Sequence, residues 1–173
     1  MSDNDWKPRF KEIYDAAAER YRNGRQTPAA MFEPDEVEFL LGIGCSAQEL
    51  FDFVEDGLGG SPTYDEVEDV TAIRRDYFLN QMNGERTGHE TDMDALPAKS
   101  DAVDGIVWLP RIIPKAKAKL RGELPPDLMY GCGGDRPFLK SVNVGLGEFL
   151  RVVRDAADDR EVIDFVKRRA TGG

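Results

Sequence analysis

Two capping boxes, Ser46-Ala-Gln-Glu49 and Thr63-Tyr-Asp-Glu66, constrain this chain more than any other local signal. In each, the hydroxyl accepts from a free N–H of the first helical turn, and the glutamate three residues on reaches back to the N–H of the cap. The first opens a helix with Leu50, Phe51 and Val54 inward, closed by Gly57. The second opens a longer helix carrying Val67, Val70, Ile73, Tyr77 and Phe78 to about Gln81, before Asn83-Gly84. Upstream, Phe10, Ile13, Tyr14, Ala17 and Tyr21 recur at helical spacing and predict a helix from Asp5 or Pro8 to Asn23. Pro28 and Pro34 break up a turn-rich passage. A short helix over residues 35–41, with Val37, Leu40 and Leu41, ends at Gly42-Ile43-Gly44. No segment alternates convincingly as a strand. The expected fold class is all-α and compact.

With 173 residues and 40% hydrophobic content, the chain is globular and holds one good core or two small ones. The start is acidic and polar, and no apolar run is long enough to span a membrane, so a cytoplasmic location and no membrane partner are expected. Two cysteines, Cys45 and Cys132, are too few for a disulfide framework and have no ligand-spaced neighbours, so free thiols, no metal and no cofactor are expected. The net charge of −10 is unevenly spread: residues 1–104 have a balance of −14 and residues 105–173 a balance of +4. So acidic a chain is repelled by nucleic acid, whereas the two halves have complementary fields.

The organisation that follows is an acidic helical half over residues 1–83, a polar linker or mobile loop over 84–104, and a basic helical half over 105–173. The linker holds the one histidine, His89, among Glu90, Asp92 and Asp94, but at no calcium-loop spacing. Beyond it, Pro110 or Pro114 marks the first turn of a helix. Its Arg111, Lys115 and Lys119 recur every four residues, as do Lys117 and Arg121, giving a broad cationic face opposite Ile112, Ile113, Ala116 and Leu120. Such a face is either solvated or a cradle for phosphate or carboxylate.

Residues 106–139 combine that basic stripe with a glycine-bracketed cysteine and five of the ten prolines. Leu109 to Arg111, Lys115 to Arg121 and the Tyr130-Gly-Cys132 loop together resemble the signature of a bacterial family known as domain of unknown function 5069, strongest over residues 105–170. The resemblance implies a fold and a compartment, not a chemistry.

Function therefore has to be read from the residues. Three glycines around Cys132 let the backbone adopt positive φ or approach a ligand, and Arg136 is placed to favour its thiolate. One reading is a binding or accessory protein for a protein partner or a small anionic metabolite. The alternative is a small-molecule enzyme with Cys132 as nucleophile or acid, and with Tyr130 or Asp135 in proton transfer. Arg74, Arg111, Lys115 and Arg136 would then bind an anionic substrate. Arg74 lies one turn from both Val70 and Phe78, where a guanidinium needs a carboxylate such as Asp76, or else binds an anion, while Arg75 falls on the exposed flank.

The chain also repeats itself. Residues 39–56 align with residues 138–155 at an offset of 99, with Phe, Leu, Glu, Val and Asp identical, and Glu66-Val67 and Asp69 are echoed by Glu161-Val162 and Asp164. Shared helix grammar or an internal duplication accounts for this equally.

Overall fold

A computed structural model describes residues 5–172. The chain forms two compact units, residues 1–85 and 86–173. In the first, α1 (Trp6–Arg22), α2 (Pro28–Met31), α3 (Pro34–Gly42), α4 (Ala47–Leu58) and α5 (Tyr64–Asp76) follow one another, and Tyr77–Gln81 continues α5 as one turn of π-helix. Both capping boxes form: Ser46 Oγ accepts from the N–H of Glu49, Thr63 Oγ1 from that of Glu66, and both glutamates return the bond. The turn-rich passage contains a helix that the prolines hid. Thr27 caps α2 and Pro28 starts it, a position where the missing N–H costs nothing.

α1 packs on α4, and α3 on α4. Trp6, Phe10, Ile13, Leu40, Leu50, Phe53, Val54, Val67 and Val70 are buried, with the Trp6 and Phe10 rings edge to face at 5.3 Å.

The second unit consists of a short hairpin, β1 (Ala102–Val103) with β2 (Ile106–Val107), then α6 (Leu109–Arg121), α7 (Asp135–Ser141), α8 (Leu146–Asp155) and α9 (Asp159–Gly172). The hairpin lies within and just past the segment read as linker, and corrects the strand-free expectation. Its Asp104-Gly105 turn has both residues at positive φ, 50° and 82°, the backbone of a type I′ turn. The linker itself is tied at two points, where the Thr91 N–H donates to the Glu123 carbonyl and Arg111 Nη1 to the Pro97 carbonyl. α6 packs on α8 and α9, and Leu109, Ile112, Ala116, Leu139, Phe149, Leu150, Val162 and Val166 are buried.

The fold is predominantly helical, as expected. No helix of the described residues is long and apolar enough to cross a membrane. The acidic Met1 to Asn4 start lies outside the described residues.

Candidate functional site around Cys132

The cationic face of α6 corrects the solvated reading. Lys115 and Lys119 are each 2% exposed, and only Lys117 and Arg121 of that helix are open to solvent. A buried ammonium needs a partner, and Lys115 Nζ donates to Asp135 Oδ2 at 2.6 Å. Asp135, fully buried at the start of α7, also accepts from Trp108 Nε1 at 2.8 Å and from the Gly131 N–H at 2.9 Å. One carboxylate thus joins the hairpin, α6, the 130–134 loop and α7.

Lys115 Nζ also reaches Cys132 Sγ, 3.3 Å away. Cys132 is half-buried, whereas Cys45 is 2% exposed with Sγ against the Ser46 carbonyl. The cation on the thiol is therefore Lys115. Arg136 Nη1, expected there, donates to the Gly131 carbonyl at 2.6 Å. Tyr130 is buried and its hydroxyl donates to the Leu146 carbonyl at 2.7 Å. Burial pushes that phenol well above its ordinary value, and the neighbouring Asp135 charge adds to the rise, so the group stays protonated.

The glycines serve separate purposes. Gly131 takes φ +86°. A Cβ at Gly134 would lie 2.4 Å from Cζ2 of the Trp108 ring, so that position is bare to admit the indole, while Gly133 faces open space. Trp108 itself sits at φ +77°, a left-handed backbone that a bulky residue holds only against strain of about 1–3 kcal/mol. Its indole hydrogen bond and its seat on Gly134 oppose that strain. Sequence reasoning missed Trp108 altogether. Its one legible signal was the Asp104-Gly105 turn, which fixes the chain direction just before it.

Of the remaining candidates, Arg111 is bound to Pro97 as above. Arg74 belongs to the first unit, where its guanidinium is buried, 5.0 Å from the centre of the Phe78 ring and 3.5 Å from Met82 Sδ. Asp76 accepts from Asn80 Nδ2 at 2.7 Å. Arg75, expected on an exposed flank, is 9% exposed and lies over the Trp6 ring. His89, Glu90, Asp92 and Asp94 show no gathering: among the described residues no group of three His, Cys, Asp or Glu could hold a metal ion. An open groove of about 460 Å³ between α8 and α9, lined by Arg151, Val152, Phe165 and Arg168 among others, includes none of residues 130–136.

Residues 94–172 match the family model of a domain of unknown function, DUF5069. The match covers the hairpin, α6 and the Cys132 loop, and bears out the resemblance read from the same residues. The DUF5069 match begins inside the second unit and does not extend into the first. No curated protein and no solved structure matches the chain.

Proposed function

We propose that this chain is a bacterial, cytoplasmic binding or accessory protein that engages a protein partner rather than turning over a substrate. The carrying observation is that the polar groups of the DUF5069 loop are spent internally. Asp135 accepts three donors, Tyr130 and Arg136 donate to backbone carbonyls, and Lys115 is sealed against Asp135. A small anion would have to displace a bond from each cation it used, at the desolvation cost of the group left behind. The carboxylate excess of residues 1–104 favours a basic face on the partner. Native mass spectrometry of freshly purified protein, set against its denatured mass, tests this. A partner chain retained at low salt and released as salt rises is expected, and a reproducible small-molecule excess would overturn it.

A second reading, thiol chemistry at Cys132, is favoured by the 3.3 Å contact with Lys115 and by the half-buried position of Cys132. It predicts that Cys132→Ser abolishes an activity. The binding reading predicts that this variant retains the partner.

We further propose that the two units are diverged copies. At the same offset of 99, Cys45 and Val144 donate to the Leu40 and Leu139 carbonyls, Gly44 and Asn143 take positive φ, and Ser46 and Gly145 donate to Glu49 and Glu148. Glu36 and Asp135 complete the set, each a buried acid that accepts from a cation of the unit's first long helix (Arg20 or Lys115, both at 2.6 Å) and from a loop N–H. An experimental structure in which residues 34–58 and 133–157 failed to superpose would overturn the duplication.

A further inference from the structure

We propose that Lys115 and Cys132 are an oxidant-dependent cross-linking site, at which a hydroperoxide drives formation of a sulfenamide bond between Nζ and Sγ. The two atoms are already 3.3 Å apart, within the roughly 3–3.5 Å at which a nucleophile and its target are poised to react. Access is asymmetric: Cys132 is half-buried and the next residue, Gly133, faces open space, whereas the lysine is sealed. An oxidant therefore reaches sulfur, and the amine is the neighbour waiting behind it.

In the first step the sulfur attacks one oxygen of hydrogen peroxide and the O–O bond breaks. The leaving hydroxide takes the thiol proton to become water, and the cysteine, oxidised by two electrons, becomes a sulfenic acid. In the second, the Lys115 ammonium gives a proton to Asp135 Oδ2, 2.6 Å away, which frees its lone pair. Nζ then attacks sulfur and the S–OH bond breaks, the hydroxide leaving as water with a second proton from nitrogen. Asp135 keeps the first, so a buried charge pair becomes a neutral acid beside a neutral N–S bond. That exchange suits a sealed site, because both ions have already been stripped of water.

Closure from 3.3 Å to bonding distance falls to the lysine side chain and the cysteine loop. Gly131, Gly133 and Gly134 flank the sulfur, and the lysine has four rotatable bonds. The bond would close a loop across a separation of 17 residues and tie α6 to the 130–134 loop, restricting the unfolded chain.

The test treats the full-length protein with stoichiometric hydrogen peroxide and maps it without reductant. The expected product has lost two hydrogen atoms, resists trypsin at Lys115, and yields one cross-linked peptide carrying both residues. Dithiothreitol should restore the starting mass and the trypsin site. Cys45→Ser should leave the product unchanged and Cys132→Ser should abolish it; because the wild-type map alone identifies the bond, a folding defect in either variant leaves the outcome readable. Oxygen addition at Cys132 with free Lys115, a disulfide between two copies, or no change would each overturn the proposal.

Discussion

Lys115 Nζ sits 2.6 Å from Asp135 Oδ2 with the two side chains 2% and 0% exposed, so each is the other's condition for being buried. Removing the ammonium strands a carboxylate inside the second unit. Lys115→Met should therefore cost about 3–5 kcal/mol, while Lys115→Met with Asp135→Asn, which removes the stranded charge and keeps an acceptor for Trp108 Nε1 and the Gly131 N–H, should recover most of that loss. Denaturant midpoints compare the three proteins. Equal destabilisation of single and double variants would mean that the pair is not the source of the effect.

The indole of Trp108 and the bare Cα of Gly134 make the second contrast. Gly134→Ala forces a methyl into the ring and should cost about 1–3 kcal/mol with a shifted tryptophan emission. Gly133→Ala meets nothing within 4 Å and should change stability by under about 0.5 kcal/mol. A tolerated Gly134→Ala would show that the indole has room to move.

Cys132 should alkylate at least about tenfold faster than Cys45, because one thiol is half-buried and beside a cation while the other opens only with its surroundings. Timed iodoacetamide labelling with peptide mapping measures the ratio. Equal rates would remove the basis of any thiol chemistry.

Asp104, at the hairpin turn, accepts from Arg160 and Lys167 of α9, and those bonds hold its carboxyl at about 2 rather than the ordinary 3.8. A depressed carboxyl adds stability above its unfolded value, and that contribution is lost as pH falls from about 4 towards about 2. Asp104→Asn should thus lower the denaturant midpoint at pH 7 and leave little difference from wild type near pH 2. A difference that persisted unchanged in acid would count against the ion pairs. All three groups are exposed, so added salt should also shrink it.

Residues 82–90 are almost wholly exposed, whereas Thr91 and Pro97 are held by backbone carbonyl bonds. Limited proteolysis should cut at Arg86 before Lys99. First cleavage at Lys99 would mean that those two bonds do not hold the segment.

Helix existence and most helix ends were legible in the sequence, because caps and apolar spacing act within one or two turns. Ser46 with Glu49 and Thr63 with Glu66 function as their positions suggest. The loop that matters was legible too, through the glycines around Cys132. What its side chains do was not. The periodicity of α6 gives Lys115 and Lys119 the same pattern whether that face meets water or a carboxylate 20 residues away, so only the folded chain decides that Lys115 is buried against Asp135. Likewise, no spacing rule reports that Trp108 adopts a left-handed backbone to rest on Gly134, or that Arg75 turns inward over Trp6. The sequence by itself determined the helices and the loop. The long-range pairing of buried charge, whose free energy exists only once water has been excluded, was decided by the tertiary structure.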